Sequence, residues 1–377
     1  MILTPEHQML RDAVRQYARE RLAPNAAAWD RDATFPREAL RGLAAMGLYG
    51  VAISEEWCGA GMDHTALALA LEEIALGDGA TSTIVAVTNL AAGIVLGYGT
   101  SEQKERYLKP LARGAMLGAF ALTEPHTGSD ASAIRTRAVR KGDGYVLDGV
   151  KQFITSGKNA DVAVVFAVTD SAAAKKGISA FLVPIATPGY VVARIEEKTG
   201  QHASDTAQIV LEACAIPAAN LLGREGEGYR IALANLESGR INVAAQSVGM
   251  AQSALDAALK YAHERSTFGK PLIAHQAVSF RLADMATGIE AARQLYLHAA
   301  SLRDRGLPCL KEASMAKLFA SETAEKVCSD AIQLHGGYGY LRDFPVERIW
   351  RDVRVTQIYE GASDIQRMVI GRALAGG

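Results

Sequence analysis

The stretch RLADMATGIEAARQLYLHAASL, residues 281–302, carries apolar side chains at steps of three and four residues. The stripe consists of Leu282, Met285, Ile289, Ala292, Tyr296, Ala299 and Leu302. This period places the apolar side chains on one face of an α-helix, which is buried when helices pack together. Residues 313–334 repeat the pattern with Ala313, Ala316, Ala320, Ala324, Val327, Ala331 and Leu334. The two stretches predict the core of a helix bundle.

The chain upstream of this bundle changes its periodicity. Residues 1–118 have a helical pattern; the segment 37–50 is expected to end at Gly47 and Gly50, and the segment 64–79 at Gly77 and Gly79. Residues 119–226 instead contain short apolar runs separated by turn signals, which indicate a compact antiparallel β domain. The expected turns are Asp143-Gly144 and Pro188-Gly189.

We therefore predict an α+β multidomain protein with three parts. The N-terminal α-helical domain covers residues 1–118, the middle β domain covers residues 119–226, and the C-terminal helical bundle covers residues 227–377. No long helical run interrupts the middle part, so a parallel sheet of alternating strands and helices is disfavoured.

The composition argues against several classes of function. The formal net charge is −1 and the basic residues are interspersed with acidic ones, so we expect no surface for nucleic acid. The four cysteines and eight histidines are scattered without metal-ligand spacing, so we expect neither a disulfide framework nor a metal site. No Gly-rich motif follows a strand and opens a helix, so a Rossmann or P-loop nucleotide site is unsupported.

One uncharged stretch, residues 79–101, is long enough to need a membrane check. Its hydroxyl and amide side chains and its four glycines make it too polar for a comfortable span, so a buried helix is expected. The first residues begin a helix at Thr4-Pro5 and lack the basic and apolar regions of a signal peptide. We expect a cytoplasmic protein that does not bind membranes.

Five segments do not follow the patterns of plain structural elements. They are ALTEPHTGSD (121–130), KQFITSG (151–157), ERSTFGKPLIAHQ (264–276), QLHGGYGY (333–340) and YEGASD (359–364). Taken singly, each has an ordinary explanation as a turn, a helix end, a core residue or a surface acid. Each also has a functional explanation. A strand with Phe153 and Thr155 on one face could stack on a ring and hydrogen-bond it, and Glu360 beside Gly361 could serve as a general base.

Read together and in order, these segments resemble the acyl-CoA dehydrogenase family of flavoenzymes over essentially the whole chain. The segment KTGQHASDTAQIVLEACAIPAANLLG (198–223) strengthens the resemblance because it is long and distinctive. The resemblance implies an N-terminal α-helical domain, a central antiparallel β-barrel-like domain and a C-terminal four-helix bundle. It also implies an FAD cofactor, held between the β domain and the bundle and reaching a neighbouring subunit.

The resemblance also implies cofactor contacts at particular residues. The flavin ring would be lined by Phe120, Leu122, Thr123, Gly128, Ser129, Phe153 and Thr155. The pyrophosphate and adenosine half, partly across a dimer interface, would be reached by Arg265, Phe268, Gln276, Gln333, Gly336 and Gly337. Ala362 and Asp364 would also touch FAD, although other members often have Thr and Gln there. Members often have Trp where Phe153 stands, so an indole hydrogen bond is missing here.

The resemblance assigns the chemistry to Glu360, which would remove a proton from Cα of the acyl-CoA. The Glu360 N–H and the flavin ribityl 2′-hydroxyl would polarise the thioester carbonyl. Some members place the base at the position of Gly239, which cannot act as one. Substrate contacts would come from Ser129, Glu237, Arg240, Tyr359 and Gly361.

The expected reaction converts a short or short-branched acyl-CoA to a trans-2-enoyl-CoA and passes electrons to electron-transfer flavoprotein. A homotetramer, built as a dimer of dimers, and a place in fatty-acid or branched-chain amino-acid breakdown are expected from the family. Two alternatives stay open. One is an oxygen-using acyl-CoA oxidase or nitroalkane oxidase, although Glu360 argues against the latter. The other is a non-catalytic scaffold of the same fold.

Overall fold

A computed structural model describes residues 2–376. The N-terminal region begins as the sequence predicts, because Thr4 caps the first helix and accepts a hydrogen bond from His7 N–H at 3.3 Å. A π-helical turn, Ala18–Leu22, joins the first two helices. The helices of this region are α1 (Pro5–Tyr17), α2 (Ala23–Asp32), α3 (Arg37–Ala45), α4 (His64–Gly77), α5 (Gly79–Tyr98), α6 (Ser101–Gln103) and α7 (Lys109–Ala112).

The boundary between α4 and α5 differs from the prediction. Helix α4 ends at Gly77 as expected, but Gly79 starts α5 instead of ending α4. Asp78 explains the difference, because its carboxylate accepts a hydrogen bond from Thr81 N–H at 2.8 Å and caps the new helix. Helix α5 is apolar and long enough to cross a membrane, but 83% of its most apolar stretch is buried inside the protein. It is a core helix, as the sequence predicts.

The middle region is one eight-stranded sheet in the order β6-β7-β3-β2-β4-β5-β8, with β1 paired to β4. The strands are β1 (Gly118–Ala121), β2 (Arg137–Lys141), β3 (Gly144–Thr155), β4 (Val162–Val168), β5 (Ile178–Pro184), β6 (Tyr190–Ile195), β7 (Thr206–Pro217) and β8 (Leu221–Leu222).

The sheet corrects two details of the prediction. It is mixed instead of purely antiparallel, since β1 runs parallel to β4 and β2 has one parallel pair with β4. The chain leaves β1 through a long loop and returns to its side only after the β2–β3 hairpin, so β4 enters in the same direction as β1. The hairpin turn is Gly142-Asp143, with Gly142 at φ 57°, while Gly144 already belongs to β3.

The C-terminal region is helical, apart from a short hairpin of β9 (Ser266–Thr267) and β10 (Lys270–Pro271). Its helices are α8 (Gly228–Glu264), α9 (Gln276–Asp304), α10 (Leu310–His335), α11 (Pro345–Val353) and α12 (Ser363–Leu374). The two predicted stripes are confirmed, because all their residues except the last of each, Leu302 and Leu334, are buried. Gly336, with φ 59°, ends α10 as predicted.

Two clusters of buried apolar side chains connect the three regions and leave a cleft between them. Helix α4 packs on α8 and α9, which joins the N-terminal helices to the bundle. Apolar side chains of α5 pack against β4 and β5 together with Ile231 and Ala232 near the start of α8. The cleft therefore lies between the sheet and the helices α5 and α8.

Candidate active site

The loop between α11 and α12 carries Glu360 in a backbone conformation that glutamate rarely adopts. Its φ is 52°, and that of the following Gly361 is 92°. The left-handed region costs a non-glycine residue roughly 1–2 kcal/mol, so neighbouring groups must hold the loop. Gln366 Nε2 donates to the carbonyl oxygens of Glu360 (3.2 Å) and Gly361 (2.8 Å). Lys317 Nζ donates to the Gly361 oxygen at 2.8 Å.

The Glu360 carboxylate faces the cleft in a dry environment. Its Oε2 atom is buried and has no hydrogen-bond partner among residues 2–376. Burial raises the pKa of Glu360 from its ordinary value near 4.5 to about 7, although the positive charges of Arg240 and Lys317 act against this rise. A carboxylate with a pKa near neutrality can take up and release a proton at neutral pH, as a general base must.

Helix α8 leaves room for this carboxylate at Gly239. A Cβ atom at residue 239 would lie 2.5 Å from Oε2 of Glu360 and 3.0 Å from its Cδ. The next residue, Arg240, also lines the cleft; its Nη1 lies 3.4 Å from Ser314 Oγ, and its Nε has no partner in the described part of the chain. Burial lowers the pKa of Arg240, which nevertheless stays far above neutrality because guanidinium is so basic.

Tyr359 lines the cleft next to Glu360. Its hydroxyl donates to Oε1 of Gln246 at 3.0 Å. Burial raises the pKa of Tyr359 to about 12, so the phenol stays neutral at physiological pH. A neutral ring next to the carboxylate excludes water without adding charge.

A buried ion pair anchors the middle-domain wall of the cleft. Lys151 Nζ donates to the Leu122 oxygen at 3.0 Å and to Oε1 of Glu124 at 2.8 Å. The Glu124 carboxylate also accepts hydrogen bonds from the N–H groups of Arg135 (2.6 Å) and Thr136 (2.9 Å). These bonds fix the segment that follows β1, so that Leu122 lines the cleft.

Phe153 interrupts its strand instead of alternating within it. The register of β3 against β7 shifts between Lys151 and Ile154, and Phe153 has φ 59°. This bulge turns the ring out of the core, so that 63% of Phe153 is exposed and the ring lines the cleft. Phe153 is therefore not a core residue. Thr155 lines the same cleft, so the predicted proximity holds although the simple alternation does not.

The cleft, of about 800 Å³, brings together most of the residues that the sequence singles out. It is lined by Phe120, Leu122, Thr123, Gly128, Ser129, Phe153, Thr155, Arg240, Tyr359, Glu360, Gly361 and Ala362. Besides Arg240 Nε and Glu360 Oε2, the cleft contains two buried polar atoms without a partner in residues 2–376, Ser204 Oγ and Gln246 Nε2. A largely apolar cleft with a few unpaired polar atoms fits a planar ring system such as flavin together with an acyl chain.

A second group of predicted cofactor residues lies outside the cleft. It consists of Arg265, Phe268, Gln276, Gln333, Gly336 and Gly337. Phe268 is 94% exposed, and the guanidinium of Arg265 lies 5.9 Å from the ring centre of Tyr338, so the β9–β10 hairpin meets the segment after α10. These residues cannot reach the cleft of their own chain as they stand. Their expected contact across a dimer interface stays a prediction.

Two further predicted residues also lie outside the cleft. Glu237 makes its contacts beside the cleft, where its Oε1 accepts from Arg303 Nη1 (3.2 Å) and Cys309 Sγ (3.1 Å). This placement does not favour the predicted substrate contact, because Glu237 does not line the cleft and its Oε1 is already engaged by Arg303 and Cys309. Asp364 is exposed at the start of α12 and lies 3.4 Å from Arg367 Nη1.

Lys317, Gln246 and Gln366 are parts of the site that the sequence does not single out. Lys317 is fully buried in spite of its charge, and its neighbours along α10 are apolar. The segment SMAKLFAS (314–321) could have indicated a buried functional lysine, because a lysine between Ala316 and Ala320 of the apolar stripe is unusual. The glutamines carry no such signal. The described residues contain no group of three or more side chains that could hold a metal ion.

Known proteins match this chain along its whole length. Residues 4–115 match the acyl-CoA dehydrogenase N-terminal domain, residues 119–214 the middle domain and residues 226–375 the C-terminal domain. The short-chain specific acyl-CoA dehydrogenase, mitochondrial, of Rattus norvegicus is 47% identical over 98% of this chain and 90% of its own length.

Two solved structures are also similar. A chain from the structure described as "Electron transferring flavoprotein of Acidaminococcus fermentans: Towards a mechanism of flavin-based electron bifurcation" is 46% identical over 99% of both chains, with a TM-score of 0.98. Butyryl-CoA dehydrogenase from Megasphaera elsdenii is 40% identical over 100% of this chain and 99% of its own, with a TM-score of 0.97. With the site geometry, these matches show that the chain belongs to the acyl-CoA dehydrogenase family of oxidoreductases.

Proposed function

We propose that this chain is an FAD-dependent dehydrogenase of short or short-branched acyl-CoA, with Glu360 as the base that removes the Cα proton. The observation that carries the proposal is the buried Oε2 of Glu360, which faces the cleft without a partner in the described chain and belongs to a carboxyl group of raised pKa. Bound FAD would supply the acceptor for the hydride that leaves Cβ.

The backbone beside the base supports activation of the thioester. Within residues 2–376 the Glu360 N–H makes no hydrogen bond to the protein. A free N–H next to the carboxylate can donate to the thioester oxygen and stabilise the negative charge that develops when Cα loses its proton. Tyr359 and the apolar side chains of Leu90 and Leu233, from α5 and α8, would exclude water from the reacting carbons.

The comparisons support a short substrate and an electron-transfer flavoprotein as partner. One relative acts on short-chain acyl-CoA by its name, another is a butyryl-CoA dehydrogenase, and a third belongs to a structure described by its electron transferring flavoprotein. We also propose a cytoplasmic homotetramer. The exposed group around Arg265 and Phe268 supports a second subunit, because these residues do not line the cleft that contains Glu360 and Phe268 is 94% exposed.

An anaerobic titration tests the function. The purified protein with FAD is mixed with butyryl-, isobutyryl-, 2-methylbutyryl-, isovaleryl- or octanoyl-CoA while the visible flavin band is recorded. Bleaching by one of the shorter thioesters supports the proposal and names the substrate class. Rapid recovery of the colour in air would favour an oxidase, and a protein that takes up no FAD would contradict the cofactor assignment.

The base is tested with Glu360→Gln, which keeps the shape of the side chain and removes its basicity. We expect FAD to be retained and the bleaching rate to fall by at least about 100-fold. Glu56→Gln, an exposed acid remote from the cleft, is the matched control and keeps the rate of the unaltered protein. Near-normal bleaching by Glu360→Gln with every acyl-CoA would show that another group is the base.

A further inference from the structure

Lys317 is the most deeply buried charge near the proposed base. Its side chain on α10 is fully buried, and its Nζ donates to the Gly361 carbonyl oxygen at 2.8 Å. An ammonium group inside a protein is costly unless a carboxylate compensates it. The acids that act on Lys317 are Glu360 and Glu322, and Glu322 is already engaged with Arg367 in a partly exposed ion pair. Glu360 is therefore the main compensating group.

The bond from Lys317 also acts on the backbone of the base. The Gly361 oxygen accepts from both Lys317 Nζ and Gln366 Nε2, so this carbonyl is fixed from α10 and from α12. Gly361 follows Glu360 directly, and both have positive φ. Two donors on one carbonyl restrict the rotation of the Gly361–Ala362 peptide unit and so hold the loop that carries Glu360, whose own carbonyl also accepts from Gln366.

We propose that Lys317 is a positioning residue for Glu360, in which Nζ fixes the Gly361 carbonyl and the ammonium charge, together with Arg240, favours the ionised carboxylate. The proposal deepens the proposed function, on which the role of Glu360 as base rests. The coupling between the two side chains is a property of the protein itself and can be measured without substrate.

The direction of the electrostatic effect follows from the groups that face the carboxylate. Glu360 meets Arg240 from α8 and Lys317 from α10, and both positive charges lower its pKa against the larger effect of burial. Burial lowers the pKa of Lys317 to about 8, so Lys317 is still mainly charged at neutral pH. Without the positive charge of Lys317, only Arg240 opposes the effect of burial on the Glu360 pKa. The Glu360 pKa then rises, and the carboxylate is protonated at neutral pH and cannot accept the Cα proton.

Three substitutions separate the charge from the hydrogen bond. Lys317→Met removes both and matches the shape of the aliphatic stem, Lys317→Gln removes the charge and keeps an N–H donor, and Lys317→Arg keeps both. Lys326→Met is the matched control, since Lys326 lies on the same helix with a side chain that is 72% exposed and paired with Asp330.

The readout is the infrared band of the protonated carboxyl group followed against pH without substrate. Each protein is compared with its Glu360→Gln counterpart, so that the difference isolates residue 360. We expect the midpoint for Lys317→Met and Lys317→Gln to move upward by about one pH unit, and that for Lys317→Arg and Lys326→Met to stay in place. Midpoints unchanged in both neutral variants would overturn the proposal. If Lys317→Met does not fold, Lys317→Gln against Lys317→Arg decides the question.

A kinetic measurement then separates this inference from the proposed function. The pH dependence of flavin bleaching by butyryl-CoA should move upward with the infrared midpoint, with a lower rate at neutral pH and little change in the concentration of half-saturation. A shifted infrared midpoint in a protein that no acyl-CoA bleaches would uphold the coupling and reject the substrate assignment. Bleaching by an acyl-CoA together with an unshifted infrared midpoint would uphold the substrate assignment and reject the coupling.

Discussion

Gly239 on α8 lies so close to the carboxylate of Glu360 that a side chain at residue 239 would have to displace that carboxylate. A Cβ on residue 239 would lie 2.5 Å from Oε2 of Glu360. Two elements distant in sequence, α8 and the loop before α12, therefore meet at the proposed base. The sequence identifies Gly239 only as a residue that cannot be a base. The structure adds that its missing side chain makes space for the carboxylate of Glu360, the proposed base.

Gly239→Ala should displace the Glu360 carboxylate. Because a misplacement of about 1 Å can cost 100-fold in rate, we expect flavin bleaching to slow by about 100-fold while FAD remains bound. Stopped-flow absorbance with butyryl-CoA measures this rate. Gly97→Ala, at a position on α5 with open space around it, is the control and keeps the normal rate. A Gly239→Ala protein as fast as its control would mean that the carboxylate relocates freely.

The bleaching rate should depend on pH through Glu360. Its raised pKa of about 7 means that the carboxyl group is protonated, and inactive as a base, at lower pH. The second-order rate constant for bleaching should therefore rise with pH, pass its half-maximum near pH 7 and level off above it. Rates recorded between about pH 5.5 and about pH 8.5 give this profile. A flat profile across that range would contradict the assignment of the base.

The same pKa predicts that Glu360 destabilises the folded protein at high pH. Between the ordinary value near 4.5 and about 7, the folded state retains a proton that the unfolded state has released, so stability falls as pH rises through this window. Glu360→Gln should thus raise the free energy of unfolding above about pH 7 by about 3 kcal/mol, and change it little below about pH 4.5. Urea unfolding at both ends of the window measures the difference. Glu56→Gln is the exposed control, and an equal gain at both pH values would argue against a buried charge at Glu360.

Phe153→Ala should weaken FAD binding more than it weakens the fold. The ring is 63% exposed, so its loss removes little core packing, but it removes a flat apolar surface from the cleft. We expect FAD to bind about tenfold more weakly and the apoprotein to lose less than about 0.5 kcal/mol of stability. Val139→Ala, 58% exposed on β2, is the control for loss of an exposed apolar side chain. Unchanged FAD affinity, measured by fluorescence titration, would show that Phe153 is not at the flavin.

Lys151→Met should destabilise the middle domain. Glu124 would keep its two backbone donors but lose its charge partner in a buried site, at a cost of about 3 kcal/mol. Urea unfolding followed by circular dichroism gives this number. Lys141→Met, an exposed lysine of the same domain, should change stability by less than about 0.5 kcal/mol. A loss as small as that of the control would show that the Lys151–Glu124 pair is dispensable.

The sequence predicts most of the fold because local periodicity and caps determine its elements. The helical stripes around Met285 and Ala320 are buried as expected, Thr4 caps α1, and Gly336 ends α10. The missed points concern long-range pairing. Neither the parallel contact of β1 with β4 nor the bulge at Phe153 has a local signature, since both depend on which strand lies alongside.

The sequence alone determined the order of the domains, the family resemblance and Glu360 as the proposed base, because these are written in contiguous motifs. Only the tertiary structure decided what surrounds that base. Lys317, Gly239 and Gln366 come from three separate segments and meet at Glu360 through packing of α8, α10 and α12. The burial that sets the pKa of a carboxyl group depends on all its neighbours in space, and these come from segments that are far apart in the sequence.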